Sequence, residues 1–186
     1  MKKLLHFARK VDHINDRIGR FLMWLCLFMV VIASFNAMMR YTSRFTGIDL
    51  TSNALMELQW YAFSAVFLLG AGYGLRHRAH VQVDVLFNRF SERTQAWIYI
   101  VGTVVFLIPF CIFMTILSIP TIANSWSVLE MSPDPGGLPR FPIKTLLPIS
   151  FLLLLLQGVS FLIENIARLR GEYHLREEEP AVEKAI

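Results

Sequence analysis

The sequence has little charge, few cysteines and no histidine inside its apolar runs, and each shortage excludes a class of protein. Of its 186 residues only 17% are charged while 55% are hydrophobic, more apolar surface than one soluble domain of this length needs to bury. Cys26 and Cys111 form no Cys-x-x-Cys pair, which a thiol oxidoreductase would need. All five histidines lie outside the apolar runs, so a four-helix cytochrome b would lack its haem ligands. No phosphate-binding glycine loop or nucleophile elbow is present.

Four long apolar runs dominate what is there. They cover residues 21–39, 55–75, 96–119 and 145–163 and contain almost no charge. A run of roughly 18 residues or more can cross a bilayer as a helix, the form that satisfies the backbone in lipid. The sequence therefore predicts an all-α integral membrane protein with four transmembrane helices. The first run is longer than the apolar part of a signal peptide, which favours a span over a cleaved leader.

Lysine and arginine predict the orientation. The segment before the first run carries six, the loop at 76–95 four and the C-terminal tail four, whereas the other two loops share four. Because basic residues accumulate on the cytoplasmic side, we expect both termini in the cytoplasm. This bias accounts for the pI near 9.3, and it predicts anionic phospholipid as a partner. The basic residues therefore need no nucleic acid to explain them, and we expect no nucleic-acid partner.

The parts of the chain outside the runs divide it into three regions. Residues 1–20 are predicted to form a cytoplasmic amphipathic segment, residues 21–166 the membrane domain, and residues 167–186 a charged cytoplasmic tail. Apolar residues recur at helical spacing in the first region, at Leu4, Ala8, Val11, Ile14 and Ile18. An interfacial helix and an extension of span one into water fit this pattern equally well. A second interfacial helix is predicted over residues 83–90.

Two polar residues fall within or at the edge of a span, and they are candidates for helix or subunit contacts. Glu57 begins span two and Gln157 lies in span four; a carboxylate at such a position normally faces protein or water. The neighbouring candidates are small or share the stripe of Glu57 on span two: Trp60, Ser64, Gly70 and Gly74.

A histidine–aspartate cluster follows span two. His77, His80 and Asp84 stand at i, i+3 and i+7, a spacing that one helical face could present to a metal. No further ligand is evident nearby, so we predict a structural cytoplasmic turn, with His80 and Asp84 architectural and no metal bound.

The segment at 120–144, between spans three and four, is rich in proline and is predicted to lie outside. It is longer than the 2–8 residues or so that usually connect two helices. It displays residue types suited to interface anchors, namely Trp126, Leu138, Arg140 and Phe141. A docking surface and a passive connection remain equally open.

Three stretches together resemble the small membrane subunit of TRAP (tripartite ATP-independent periplasmic) transporters. They are "ELQWYAFSAVFLLGAGYGLRHRAHVQVDVL" at 57–86, "LEMSPDPGGLPRFPIKTLLP" at 129–148 and "LLLLLQGVSFLIENI" at 152–166. The second resembles the branch usually labelled the mannitol/chloroaromatic type.

The resemblance implies a scaffold rather than an enzyme, in a bacterial inner membrane. It implies a large membrane subunit that holds the sodium and substrate sites, and a periplasmic solute-binding protein that delivers a small organic solute, often a carboxylate. It implies no cofactor in this chain. The alternative is a standalone four-helix membrane protein, either a small channel or a regulatory anchor.

Overall fold

The computed structural model describes residues 2–48, 52–79, 87 and 89–171. Four helices in this part of the chain are long and apolar enough to cross a membrane: α1 (Lys2–Thr46), α2 (Asn53–Arg76), α3 (Glu92–Ser127) and α4 (Phe141–Leu169). Each predicted span lies inside one of these helices, and the residues described form no strand. The prediction of an all-α protein with four membrane-spanning helices is confirmed.

Helix α1 runs without a break through both the predicted N-terminal segment and the predicted first span. Its 45 residues extend about 67 Å at about 1.5 Å per residue, twice the roughly 30 Å of a hydrocarbon core. Its first half presents polar as well as apolar side chains to the bundle. Leu4 and Ile14 are about half exposed, at 52% and 49%, whereas Asp12 and Asn15 face the bundle with Ala8. Polar partners on α2 and α4 account for the burial of Asp12 and Asn15. A hydropathy pattern does not reveal such partners.

The helices alternate in direction. At one end, called the inner end below, the first half of α1 meets the end of α2 and the second half of α4. At the other end, the outer end, residues 128–140 connect α3 to α4 and lie against the start of α2. Helix α4 packs against each of the other three and is therefore the centre of the bundle.

Two glycines allow α1 and α2 to approach closely near the inner end. A Cβ added to Gly19 would lie 2.3 Å from the ring of Tyr73, and one added to Gly72 would lie 2.5 Å from Oδ1 of Asn15. The glycine pair singled out from the sequence is less tightly packed, because a Cβ on Gly70 would meet Leu22 at an ordinary 3.6 Å. The carbonyl of Gly74 accepts a hydrogen bond from the Ala79 N–H in the turn after α2.

Helix α3 contains a π-helical turn at Thr103–Leu107, just before Pro109. The N–H of Ile108 bonds to the carbonyl of Thr103, five residues back, which widens the helix where proline cannot donate. The turn packs on α4, where a Cβ added to Gly158 would lie 2.3 Å from Leu107. Ser91 caps the start of the helix, its Oγ accepting from the Thr94 N–H at 3.3 Å.

The predicted outer loop was too long at its start. Helix α3 continues through Pro120 to Ser127, so Trp126 lies on its last turn rather than in a loop. Trp126 packs edge-on against Phe141 at 4.6 Å between ring centroids and donates to Thr145 Oγ1 at 3.0 Å. These contacts with α4 supply a reason for the helix to continue beyond the proline. The irregular connection is left with residues 128–140.

The bundle buries many polar side chains and exposes many large apolar ones. Its largest fully buried side chains include the amides of Asn15, Gln157 and Asn165. Large apolar side chains such as Trp24, Phe67 and Phe106 are more than 70% exposed. Lipid is as apolar as leucine, so apolar residues gain little by leaving the surface, while polar groups need internal partners.

We expect the outer end to face the periplasm. In a background with Cys26→Ala and Cys111→Ala, Asp134→Cys in the exposed 128–140 loop should react with a membrane-impermeant thiol reagent in intact cells stripped of their outer membrane. Glu92→Cys at the start of α3 should react only after lysis. Labelling of Glu92→Cys alone in intact cells would reverse the orientation.

Candidate functional site

The polar side chains gather in two clusters at opposite ends of the bundle. The inner cluster draws on α1, α2 and α4, and its members are Asp12, Asn15, Asp16, Arg76, His77, Gln157 and Ser160. The outer cluster connects α2 and α4 to the 128–140 loop through two carboxylates, Glu57 and Glu130.

Asp12 is the acceptor on which the inner cluster converges. Its Oδ1 accepts from Gln157 Nε2 at 2.9 Å and from Ser160 Oγ at 3.0 Å, both on α4. Its Oδ2 lies 3.3 Å from Arg76 Nη1 on α2. Asn15 completes the link by donating to Gln157 Oε1 at 2.7 Å. One carboxylate that is only 9% exposed thus joins three helices.

A second carboxylate extends this cluster to the surface. Asp16 Oδ1 lies 2.8 Å from Arg76 Nε and 3.2 Å from His77 Nε2. The ring of His77 also packs on Tyr73, at 4.3 Å between centroids. His77 is therefore engaged by its own chain, as the prediction of a structural turn requires of it.

The energetic weight of the inner cluster comes from burial. Removing one partner of a buried hydrogen bond leaves the other unsatisfied, at a cost of about 1–3 kcal/mol. Gln157 is 2% exposed and bonds both Asp12 and Asn15, so its loss would remove one hydrogen bond from each of two buried groups. The ion pair to Arg76 is partly screened because that side chain is 27% exposed.

Glu57 fixes the outer loop to α2. Its carboxylate accepts from the Ser132 hydroxyl and from the backbone N–H of Leu138, and it is 2% exposed. A Cβ added to Gly137 would lie 2.8 Å from Glu57 Oε2 and 2.5 Å from Ser132 Cβ, so only glycine fits there. The partners of Glu57 thus belong to a loop of its own chain rather than to another helix.

Glu130 fixes the same loop to the start of α4. It accepts from the Lys144 ammonium and from Ser125 Oγ at 2.7 Å. The hydrogen bond from Lys144, and then that from Ser125, hold the pKa of Glu130 below its ordinary value of 4.5. The carboxylate is therefore charged at neutral pH and attracts Lys144.

Further contacts make the loop a defined structure. Tyr61 donates its hydroxyl to the Pro139 carbonyl at 3.2 Å, and Asn53 Nδ2 donates to the Pro135 carbonyl at 2.9 Å. Arg140 lies over the ring of Trp60 at 5.8 Å. Gly136 adopts φ +72°, a left-handed conformation that favours glycine.

The structure places the remaining candidates as follows. Ser64 donates to the carbonyl of Trp60 on its own helix at 2.7 Å. Leu138, Arg140 and Phe141 are half-buried in their own chain, which leaves Trp126, 47% exposed, as the most accessible of the four proposed anchors. Val128, Leu129 and Met131 extend its exposed apolar surface.

His80 and Asp84 lie outside the described residues, as do the second interfacial helix, apart from Phe87, Arg89 and Phe90, and residues 172–186 of the tail. Within residues 2–48, 52–79, 87 and 89–171, no three His, Cys, Asp or Glu side chains are grouped as metal ligands would be.

Sequence reasoning missed the main partners in both clusters. Asp12 and Asn15 precede the first apolar run, and Glu130 and Ser132 lie in a proline-rich segment, so neither pair looked like part of a core. The available signal was the surplus of lone polar residues in apolar spans, since each one requires a partner from elsewhere.

The comparison with protein families decides what kind of bundle this is. Residues 29–168 match the family described as tripartite ATP-independent periplasmic transporters, DctQ component. The chain belongs to this family. No curated protein and no solved structure matches it.

Membership of the DctQ component family places the protein in the bacterial inner membrane as the small membrane component of a TRAP transporter. The family works with a large TRAP membrane subunit and a periplasmic binding protein. Both polar clusters lie mostly within the matched residues, which start after Asp12, Asn15 and Asp16.

The lowered pKa of Glu130 predicts how the outer loop responds to acid. Its stabilising contribution is fully present above 4.5 and disappears as the pH falls through the lower pKa of the folded state. We expect Glu130→Gln to speed hydrogen exchange of residues 128–140 at neutral pH, after correction for intrinsic rates. The difference from the unmodified chain should vanish in acid.

Lys144→Met serves as the matched control for this experiment. If the pair acts as described, adding Glu130→Gln to Lys144→Met should change the exchange little. A difference between Glu130→Gln and the unmodified chain that stays constant across pH would show that the charge of Glu130 does not hold the loop.

Proposed function

We propose that this chain is the static scaffold of a sodium-coupled TRAP transporter, holding the large transport subunit in the membrane during uptake of a small organic solute. A carboxylate is the proposed solute class, and the mannitol/chloroaromatic branch is the proposed subfamily. Sodium and solute would bind in the large subunit, so this chain needs no cofactor and performs no catalysis.

One observation supports a scaffold above all: the polar groups of the inner and outer clusters, Glu57 and Gln157 among them, are bonded within the chain itself. Glu57 bonds Ser132 and Leu138, and Gln157 bonds Asp12 and Asn15. A carrier has to offer polar groups to its ion or solute and release them in each cycle. Groups that fasten helices and a loop at both ends of the bundle suit a part that keeps its shape.

The same observation weighs against a standalone channel. A channel needs polar groups or a dewetting constriction along a continuous path. Between the inner and outer clusters the described surface is largely apolar, with side chains such as Phe63, Phe106 and Phe113 more than half exposed. Such a surface suits lipid or the apolar face of a partner helix.

We expect the purified full chain to conduct no sodium on its own. In liposomes loaded with a sodium-sensitive dye, it should give no flux above empty vesicles, while an added ionophore gives the full signal. When a tagged chain is purified from its native membrane, a multi-span TRAP subunit should co-purify with it and be identified by mass spectrometry. Sodium flux through the chain alone would favour the channel.

The 128–140 loop, with Trp126 beside it, is the proposed contact for the binding protein. Its two carboxylate anchors and its proline content reduce the entropy that a partner must remove on binding. Arg140 is a poor probe of this surface, because its charge acts on Glu130 and its side chain covers Trp60. Met131, 57% exposed, tests the surface without breaking those contacts.

At limiting binding protein, Met131→Glu should slow uptake about fivefold, equivalent to roughly 1 kcal/mol, and excess binding protein should restore the rate. Asp134→Asn on the same loop is the control and should have no effect. The two membrane subunits should co-purify in both variants. If Met131→Glu and Val128→Glu both leave the dependence on binding protein unchanged, the loop is only a connection.

A further inference from the structure

A cleft of about 520 Å³ opens between α1 and α2 at the outer end of the bundle. Its polar lining comes from three positions one turn apart on α1, Asn36, Arg40 and Arg44, with Tyr41 beside them and Gln59 across the cleft on α2. None of these residues takes part in the clusters described above. The cleft therefore needs its own explanation.

The two arginines give the cleft a strong preference for anions. Neither forms an ion pair with a carboxylate in the part of the chain that the structure describes. Arg40 makes a weak contact, 3.9 Å from its Nη2 to the sulfur of Met56. Guanidinium groups hold phosphate through paired N–H···O bonds, so two of them on one helix face suit a phosphate group.

The amides add directional groups to this charge. Asn36 is 6% exposed and lies at the deep end of the arginine row, and Gln59 lies opposite. Amide N–H groups donate to phosphate or ester oxygens. A polar side chain buried next to two cations is poorly placed for an apolar ligand and well placed for the oxygen-rich part of an amphiphile.

An exposed apolar surface continues from the cleft towards the middle of the bundle. Ala33 and Ala37 line the cleft itself, and their small size leaves room along α1. One turn below Gln59, Phe63 is 57% exposed and stacks with Phe67 at 6.4 Å between centroids. A ligand that fills the cleft with its polar end can lay a hydrocarbon chain along this surface.

We propose that the cleft binds the phosphate-bearing headgroup of a phospholipid, in the leaflet at the outer end, with its acyl chains on the surface that Ala33 and Phe63 begin. A free phosphate would engage the arginines but would leave that surface unused. A cationic cleft next to an apolar strip at membrane depth favours a ligand that has both an anionic group and a hydrocarbon chain.

The test uses the purified full chain, freed of lipid, with short-chain phosphatidylglycerol as the probe and native mass spectrometry as the readout. One lipid should bind the unmodified chain in excess of background. Arg40→Gln with Arg44→Gln should raise the Kd of the lipid about tenfold, measured from occupancy across a lipid titration and equivalent to about 1.4 kcal/mol. Arg40→Lys with Arg44→Lys should weaken lipid binding less than the glutamine pair does, because lysine keeps the charge and loses only the paired hydrogen-bond geometry.

Arg17→Gln with Arg20→Gln is the matched control. It makes the same charge change on α1 at exposed positions that do not line this cleft, and it should leave lipid binding unchanged. Circular dichroism and gel-filtration elution check that each variant is folded; if the glutamine pair fails to fold, the lysine pair against the same control decides.

Three results would overturn the proposal. If the Arg40/Arg44 and Arg17/Arg20 variants lost lipid occupancy equally, the lipid would be held by general attraction to basic residues and not by the cleft. Unchanged occupancy in both would show that the cleft binds no lipid. Displacement of the bound lipid by millimolar inorganic phosphate, with thermal stabilisation by phosphate alone, would assign the cleft to a free anion.

Discussion

The buried carboxylate of Asp12 is the constraint on which the bundle depends. A charge held at 9% exposure at the edge of a membrane has to be surrounded by donors, and lipid supplies none. Gln157 and Ser160 on α4 and Arg76 on α2 supply them. Because each donor has to reach the same carboxylate, the three helices cannot slide along one another. The relative depth of α1, α2 and α4 is thereby fixed, which their apolar surfaces alone would leave loosely specified.

Glu57 has the corresponding role at the outer end, with a loop in place of helices. It accepts hydrogen bonds from the Ser132 hydroxyl and from the Leu138 N–H. These two donors of the loop would otherwise need water or a partner protein as acceptor. Between Asp12 and Glu57 the walls of the bundle are apolar and close-packed at Gly19, Gly72 and Gly158. A bundle fastened at both ends with tight glycine contacts between resists internal motion, which is the property that the scaffold proposal requires.

Hydropathy was sufficient to predict the four helices, because a run of apolar residues in lipid has no alternative to helix. It could not predict which polar residues meet. Asp12 lies before the first apolar run and carries a charge, which usually marks the solvent side, and only its donors on α2 and α4 show that it is buried. Glu130 and Lys144 are fourteen residues apart across an irregular segment, and no periodicity connects them. The predicted third span ends just before Pro120, whereas the helix continues to Ser127, where Trp126 packs on Phe141 of α4.

The asymmetry between the two ends bears on how such a scaffold could serve a moving partner. At the inner end the charges of the inner cluster are paired within the chain, as Asp12 and Asp16 share Arg76. At the outer end Arg40 and Arg44 have no such carboxylate among the described residues, so the positive field there reaches outward. On the scaffold proposal, a partner subunit packed on the apolar walls would have no directional bonds to break if it moved during transport. Directional contacts are then confined to the ends, where an anionic headgroup or a protein loop can hold the scaffold at a constant depth.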